Sequence, residues 1–424
     1  MWRSSRLFST MSKFLIPKAT PSLNVKGAFS HSKDISLETT KILSDLLERD
    51  FKEHSILINK IGLHSHLSHH LLACYSFGVP SKRLAEIYEV DKKDHKLPRG
   101  KFHQDFKWGD KITFNNYDYY PDLANFFAQQ AEKLGSIAAV EKYVFGDEHD
   151  MFKRFMSGAY HCLIHIGYGI EFDLPIMVVE GLAETALHKP TVGALYPDDI
   201  SKLSLENENL TTEEIVRQVV DDKRFDNMLS FSDSPKLNVV MKNPDLVLEY
   251  ASKWSVDETN LEEKANELIH LAVVVFAGAQ RPDKDLNLDF FLMHTLTSSL
   301  FLPSYINALS KKNAVKLLKA KFALDLAYWV SRGRPSIDLT VAEKMGAKYS
   351  WDEIIKIGNE SRDDHVPKVV RAAKFAEVRC GDKEGIYRGI AAMTVVKITV
   401  EGGRYNQDGV GFDECWQDIP ARKY

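Results

Sequence analysis

Residues 158–188 read GAYHCLIHIGYGIEFDLPIMVVEGLAETALH, and their apolar spacing predicts two helices in succession. The first helix carries His161 and His165 where a buried helix usually carries leucine. The second carries three ionisable residues at steps of four, which are Glu180, Glu184 and His188. Residues four apart lie on one helical face, so each helix presents a polar stripe to one side. Such stripes indicate either a set of buried hydrogen bonds or a functional site.

Helical spacing extends over most of the chain. The longest helices are predicted over residues 37–58, 60–77, 151–168, 176–188, 260–279, 287–302, 304–331 and 363–379. Strand patterns are limited to residues 111–114 and 395–402. The sequence therefore predicts an all-α fold with roughly a dozen helices and little or no sheet. No linker rich in glycine or serine divides it, so residues 31–424 are predicted to form a single helical domain.

The composition is that of an ordinary soluble protein, since 44% of the 424 residues are apolar and 27% are charged. A formal net charge of −4 gives no electrostatic basis for binding nucleic acid. The cysteines are scattered without a CxxC pair, at Cys74, Cys162, Cys380 and Cys415. This pattern argues against a disulfide framework or a cysteine zinc site and favours a reducing compartment.

Two segments resemble targeting or membrane signals. Residues 1–30 are basic, lack any acid before Asp34 and have apolar residues at near-helical spacing, which predicts a mitochondrial presequence. The alternative is that translation starts at Met11 and the protein is cytoplasmic. Residues 290–310 carry no formal charge, but His294 and Pro303 interrupt them, which favours a buried helix over a membrane span. No membrane partner is therefore predicted.

Several motifs of common cofactor enzymes are missing. The sequence contains no GxGxxG after a strand, no GxxxxGK[ST], no GxSxG and no HExxH. A flavoprotein with two Rossmann domains needs such glycines at its phosphate-binding turns. A tightly bound flavin is therefore not expected.

The helix predicted over residues 60–77 is rich in histidine. His66 and His70 share an otherwise apolar face, whereas His64 and His69 lie to its sides. A lone histidine on an apolar face is usually a core residue with one hydrogen bond. Two desolvated imidazoles each need a partner, so for this pair the structural and the functional interpretation stay equally open.

On the helix predicted over residues 151–168, one face carries Gly158, His161, His165 and Tyr168. Gly158 lacks a side chain, which would leave space beside His161, although close packing of a neighbouring helix explains this glycine equally well. Tyr168 and His165 are either an acid–base couple or a buried hydrogen-bonded pair.

A third helix places His294 with Thr297 and Ser298 among phenylalanines, which is typical of a pocket for a flat aromatic molecule. The alternative is a core helix whose hydroxyls bond back to its own carbonyls. Four cations further along are either anion contacts or, as we favour, helix-end charges: Arg332, Arg334, Lys368 and Arg371.

Metal binding stays open. Glu267 and His270 form one Glu-x-x-His unit, whereas di-metal carboxylate bundles use two, so an ordinary surface acid and core histidine explain the unit better. A mononuclear site of three or four histidines from separate helices is compatible with the sequence, because imidazole binds iron, copper and zinc.

Six segments, in the same order along the chain, resemble the questin oxidase-like family of fungal and bacterial oxidoreductases. Between residues 60 and 375 they read HSHLSHHLLACYSFG, NNYDYYPDLANFF, GAYHCLIHIGYGIEF, DLNLDFFLMHTLTSSLF, WVSRGRP and DDHVPKVVRA. The resemblance implies an α-helical monooxygenase that inserts oxygen in Baeyer–Villiger fashion during aromatic polyketide metabolism, with O2 and with NADPH as electron source. A mitochondrial leader departs from that setting, so we expect a quinone-like or phenolic small molecule rather than the family's anthraquinone.

The resemblance also implies a set of pocket residues, which are His66, His70, His161, His165 and His294, with Tyr168 as proton partner and His365 as a further candidate. If a reduced quinol reacts with O2 itself, the protein must supply a base and donors for the developing oxyanion, and histidine is the natural base near neutral pH. We expect His161 and His165 to face His294 across one cavity. A histidine-ligated metal or haem oxygenase and a non-catalytic helical ligand-binding protein stay open as alternatives.

Overall fold

The computed structural model describes residues 15–18, 26–30, 32, 35–58, 63–94, 97–146, 148–196, 200 and 208–422. Within these residues the chain forms α-helices joined by turns and by short 3₁₀ and π segments, and its only strand-like pairs are isolated bridges. The predicted all-α fold is therefore confirmed. Residues 1–14 and 19–25 of the predicted presequence lie outside the described residues.

The chain contains two compact units, and each is described by itself. The first consists of the chain up to Pro190 together with Pro303–Leu309. Its helices are α1 (Leu37–Glu53), α2 (Leu67–Ser76), α3 (Ser81–Asp91), α4 (Tyr120–Leu134), α5 (Ser136–Val140), α6 (Met151–Met156), α7 (His161–Glu171) and α8 (Pro175–Leu187).

Local sequence explains where several of these helices begin and end. The Ser36 hydroxyl accepts a hydrogen bond from the Thr39 N–H at 3.0 Å and so caps α1. Pro121 stands in the first turn of α4, and Gly135, with a φ of +90°, ends that helix. These signals match the predicted helix ends.

Two glycines let α7 and α8 approach each other closely. A Cβ added at Gly169 would lie 2.7 Å from the Val178 nitrogen, and one at Gly181 would lie 3.1 Å from the Ile166 nitrogen. Any side chain at these positions would push the helices apart. The close approach brings the polar stripes of α7 and α8 within hydrogen-bonding range.

The second unit comprises Thr191–Leu302 and Ser310–Tyr424. Its helices are α9 (Thr212–Asp221), α10 (Lys236–Lys242), α11 (Asp245–Ala251), α12 (Leu261–Ala277), α13 (Phe290–Ser299), α14 (Lys311–Ser331), α15 (Thr340–Lys348), α16 (Trp351–Glu360), α17 (His365–Cys380) and α18 (Ile386–Thr394). Thr211 and Glu214 form a reciprocal capping box at the start of α9.

Three long helices of the prediction are wrong in extent. The helix predicted over residues 60–77 begins at Leu67, because His64 pairs with Leu57 in an antiparallel bridge. The helix predicted over residues 151–168 is two helices, α6 and α7. The helix predicted over residues 304–331 is likewise two helices, Leu302–Ala308 and α14, because Ser310 is extended at the start of α14.

Both predicted strands are helical turns. Lys111–Thr113 is a 3₁₀ turn, and Val395–Val400 is a π turn that follows α18. Val395 and Ile398 are buried three residues apart, so burial of one helical face outweighs the β-preference of this branched run. Helices α10 and α15 were not predicted, because segments of seven and nine residues are too short to establish a period. No helix among the described residues combines the length and the apolar character needed to cross a membrane.

Candidate active site

The predicted site residues are divided between the two units. The first unit contains His66, His70, His161, His165 and Tyr168, and the second contains His294 and His365. The expected facing of His161 and His165 toward His294 stays a prediction.

A break between α6 and α7 sets the position of His161. Gly158, Ala159 and Tyr160 have left-handed φ angles of +62°, +52° and +65°, so a new helix starts at His161. The predicted space beside Gly158 is filled by the ring of His188. A Cβ added at this glycine would lie 2.9 Å from Nε2 of that ring. The break turns the Gly158 carbonyl toward the His161 ring, with Nδ1 of His161 at 2.5 Å from that oxygen.

His161, which is buried, forms a couple with the half-buried His66. Their Nε2 atoms lie 2.7 Å apart, and the two rings are nearly parallel at 5°. A carbonyl oxygen only accepts hydrogen bonds, so His161 carries its proton on Nδ1 and its Nε2 accepts from Nε2–H of His66. In this tautomer the basic nitrogen of His66 is Nδ1. His64 stacks on the other side of the couple, with its ring centroid 3.8 Å from that of His161.

His69, rather than His70, joins the histidines of α7. Because α2 begins only at Leu67, His66 is its N-cap residue. The prediction that His66 and His70 share a helical face is therefore wrong. His70 instead turns toward α3 and contacts Asp91 at 2.8 Å. Burial acts against a charged His70 ring, but hydrogen bonds with Asp91 and Cys74 raise its pKa to about 10. His70 is therefore an imidazolium at neutral pH and cannot serve as a base.

A proton relay runs from α2 through α7 to α8. Nε2 of His69 lies 3.0 Å from Nδ1 of His165, and Nε2 of His165 lies 3.3 Å from Oε2 of Glu180. With Glu180 ionised, His165 donates from Nε2 and accepts at Nδ1, so His69 donates from Nε2 and its basic nitrogen is Nδ1. The ring of Tyr168 stacks on that of His69 with centroids 5.0 Å apart. All members of the relay are buried.

The surroundings of Glu180 shift the pKa at the carboxyl end of the relay. Burial raises the pKa of Glu180, while the hydrogen bond with His165 lowers it in part. The Tyr120 hydroxyl donates to Oε1 of Glu180 at 3.3 Å, and burial raises the pKa of this phenol well above its usual range. The Arg99 guanidinium lies 5.5 Å from the Tyr120 ring centroid. Arg99 also lines a cavity of about 250 Å³.

In the second unit, His294 lies on α13 among aromatic rings. Its Nδ1 donates to the Phe290 carbonyl at 2.8 Å, and the centroids of Phe290 and His365 lie 4.5 and 5.4 Å from its own. The hydroxyl of Ser298 bonds back to the His294 carbonyl at 2.7 Å. A hydroxyl that bonds to a carbonyl of its own helix agrees with the core-helix alternative and not with the pocket interpretation.

His365 begins α17 beside two carboxylates. Its Nδ1 lies 3.0 Å from Asp363 and 2.9 Å from Asp364. Burial and the Lys368 ammonium oppose a charged ring, but the carboxylates outweigh them and raise the pKa of His365. His365 is thus better suited to hold a charge than to accept a proton.

The remaining candidates have structural partners. Arg332 is a helix-end charge as favoured, since it follows α14 and forms a buried ion pair with Asp289 at 2.9 Å. Glu267 accepts from the Thr212 N–H, whereas His270 contacts the Tyr387 hydroxyl at 2.8 Å and Glu213 at 3.2 Å. The Glu-x-x-His pair therefore follows the ordinary structural interpretation.

Sequence reasoning did not select several residues that the structure brings together, which are His64, His69, Tyr120, Glu180, Glu184 and His188. The spacing of Glu180, Glu184 and His188 on α8 was visible, but it could not say which helix the stripe would face. The choice of His70 over His69 depended on the phase of a helix whose start was placed seven residues too early.

Comparisons with known proteins identify the family of the chain. The model of the family described as questin oxidase-like matches residues 63–373. A Baeyer–Villiger oxidase of Pestalotiopsis microspora is 28% identical over 430 residues, covering 92% of this chain and 95% of the relative. A Baeyer–Villiger oxidase of Emericella nidulans is 26% identical, covering 91% and 94%. The questin oxidase of Aspergillus fumigatus is 24% identical, covering 95% and 98%.

Proposed function

The chain belongs to the questin oxidase-like family of oxidoreductases, and we propose that it catalyses an O2-dependent, Baeyer–Villiger-type oxygen insertion into a small aromatic or quinone-like molecule. The observation that carries the proposal is the buried relay from His69 through His165 to Glu180. Substrates of this class must lose a phenolic proton before they react with O2, and the relay supplies an oriented base for that step.

The proposed reaction balances without a bound flavin. A hydride donor of the nicotinamide class, NADPH, first reduces the quinone to its quinol. The deprotonated quinol then reacts with O2, one oxygen atom enters the bond between a carbonyl carbon and its neighbour, and the other leaves as water. The quinol supplies the two electrons and two protons that this insertion consumes.

Each residue of the relay has a distinct part in the proposal. His69 is the base, through Nδ1. His165 and Glu180 are positioning residues that fix the tautomer of His69 and stabilise the imidazolium that forms, as a carboxylate does behind other catalytic histidines. The couple of His161 and His66 is oriented by the Gly158 carbonyl in the same way, and it is suited to return a proton to the departing oxygen.

The chain's own residues do not fit a Rossmann-type dinucleotide site. The described part of the chain contains no strand from which a phosphate-binding turn could lead into a helix. NADPH therefore enters the proposal as a diffusing reductant, and no residue is assigned to it.

The test is turnover by the purified full-length chain. A panel of hydroxyanthraquinones, naphthoquinones and hydroquinones is incubated with NADPH and O2, and products are measured by mass spectrometry. We expect a product that gains one oxygen atom, with one O2 consumed for each product formed. The variant His165→Gln should lose turnover, whereas His54→Gln should not, because His54 pairs with Asp50 outside the relay.

The alternatives give different outcomes. A Soret band, or turnover that vanishes on chelation while His165→Gln stays active, would favour a haem or metal oxygenase. A chain that binds a panel member without consuming O2 would be a ligand-binding protein.

We further propose that residues 1–30 direct the protein to mitochondria. Mass spectrometry of the native protein should show an N-terminus within about 8–20 residues of Met1, as expected for a short amphipathic leader. A native chain that begins at Met1 or Met11 would contradict this proposal.

A further inference from the structure

We propose that His64, Glu184 and His188 form a binding site for a divalent first-row transition metal ion. Their donor atoms all lie within 4.8 Å of one another. The Nε2 atoms of His64 and His188 are 2.5 Å apart, and they lie 3.5 and 3.8 Å from Oε1 of Glu184. None of these three residues belongs to the relay or to the couple of His66 and His161.

Three separate structural devices hold the donors. His188 is the C-cap residue of α8, where its N–H donates to the Glu184 carbonyl at 3.1 Å. The His188 ring packs against Gly158, and its own carbonyl accepts from the Arg154 guanidinium at 2.5 Å. His64 is held by its bridge to Leu57 and by its stacking on the His161 ring.

The charge of Glu184 requires a cation. Its side chain is 1% exposed, and among the described residues its ion-pair partners are the two histidines alone. Its second oxygen, Oε2, is buried and has no hydrogen-bond partner in the described part of the chain. A buried carboxylate oxygen without a hydrogen-bonding partner is unfavourable, so a bound cation is the expected compensation.

A shared proton is the competing occupant, and the distances disfavour it. A proton shared by His64 and His188 would lie on the short line between their Nε2 atoms. It would leave Glu184 at 3.5 and 3.8 Å, which is too long for a good hydrogen bond. A metal ion at about 2.0–2.2 Å from each donor reaches all three groups at once.

Binding would require only a small rearrangement. Two imidazole nitrogens on one tetrahedral ion at about 2.1 Å lie roughly 3.4 Å apart, compared with 2.5 Å here. Because Gly158 and Arg154 hold His188, the shift of about 1 Å falls on His64. Two histidines and one carboxylate leave coordination positions open, as in non-haem iron and catalytic zinc sites.

The test is a titration of the EDTA-treated full-length chain with Co(II), followed by visible absorbance and calorimetry. We expect Glu184→Gln and His188→Gln each to bind one equivalent less Co(II) per chain than the wild type. His54→Gln is the matched control, because His54 is the C-cap residue of α1, follows an acid by four residues and contacts Asp50 at 2.8 Å. It should bind as the wild type does.

The outcomes decide the proposal independently of turnover. Unchanged Co(II) stoichiometry in both variants would overturn it, because the ion would then bind elsewhere. Absence of any Co(II) binding by the wild type would overturn it in favour of the shared proton. If Glu184→Gln or His188→Gln fails to fold, judged by circular dichroism, His64→Gln replaces it and must lose the same equivalent. Metal analysis of the protein purified without chelators then identifies the native ion.

Discussion

His69 and His70 are neighbours on α2, yet their imidazoles have opposite chemical characters. His70 contacts a carboxylate directly, at 2.8 Å from Asp91, and its pKa rises to about 10. His69 reaches its carboxylate only through a second imidazole, at 3.0 Å from His165 and a further 3.3 Å to Glu180. The side chains of consecutive helical residues point about 100° apart, so the two imidazoles project from different sides of α2.

In the proposed mechanism, the difference separates a structural histidine from the base. A carboxylate beside a ring holds the proton there, and the ring becomes a fixed cation. An intervening imidazole instead fixes the tautomer of the outer ring, as the carboxylate fixes the tautomer of the histidine in catalytic triads. This distinction is wrong if turnover depends on His70, or if substitutions in the relay change only the stability of the protein.

The largest expected effect is on turnover. Glu180→Gln keeps the size of the side chain but removes the charge that stabilises an imidazolium at His165. We expect turnover of an accepted substrate to fall by about 10²–10⁴-fold, which corresponds to about 3–5 kcal/mol of barrier. The measurement is the rate of product formation under saturating O2, with His70→Gln as the matched variant on the same helix. Equal losses in the two variants would contradict the division between His69 and His70.

The helical fold was predictable because periodicity and capping are local. Ser36, Gly135 and Thr211 end or begin helices as their chemistry requires. The break before His161 was not predictable, because Ala159 and Tyr160 adopt left-handed angles that neither residue signals. Their conformation depends on surrounding contacts that no short window of sequence contains.

The candidate site was predictable in composition but not in pairing. His161 and His165 were recognised as polar groups in an apolar helix, and both have imidazole partners. Which histidine of HSHLSHH would meet them depended on the bridge between Leu57 and His64, which delays the start of α2. A shift in helix phase moves a side chain to another face, so the error exchanged His70 for His69.

The next effect is on stability. His70→Ala removes the cation and leaves Asp91, whose side chain is 15% exposed, without its partner. We expect the free energy of unfolding to fall by about 2–3 kcal/mol, measured by chemical denaturation. In a double-mutant cycle with Asp91→Ala, the two losses should not add, because both variants remove one interaction. Additive losses would show that the pair contributes nothing.

A smaller effect should follow from separating α7 and α8. In Gly181→Ala the new Cβ would lie 3.1 Å from the Ile166 nitrogen, so the helices must part slightly. We expect a loss of about 1–2 kcal/mol of stability, together with slower turnover, because His165 and Glu180 face each other across these helices. Gly358→Ala is the matched control, since a Cβ at that helical glycine would meet side chains rather than backbone, with Val370 at 3.2 Å and Val395 at 3.7 Å. A stable, fully active Gly181→Ala would show that the close approach does not position the relay.

The smallest effect, counted per pH unit, is a pH dependence of stability that arises from His70. Its pKa rises from 6.5 in the unfolded chain to about 10 in the folded protein, so the folded state binds the proton more tightly. The stabilisation is therefore complete below pH 6.5 and is lost as the pH rises toward 10. The unfolding free energy should fall by about 1 kcal/mol per pH unit in this window, relative to His70→Gln measured alongside. The contribution of Glu180, whose pKa is also raised, is common to both proteins and cancels in the difference between them. A difference curve that stays flat would mean that His70 is neutral and that Asp91 does not distinguish it from His69.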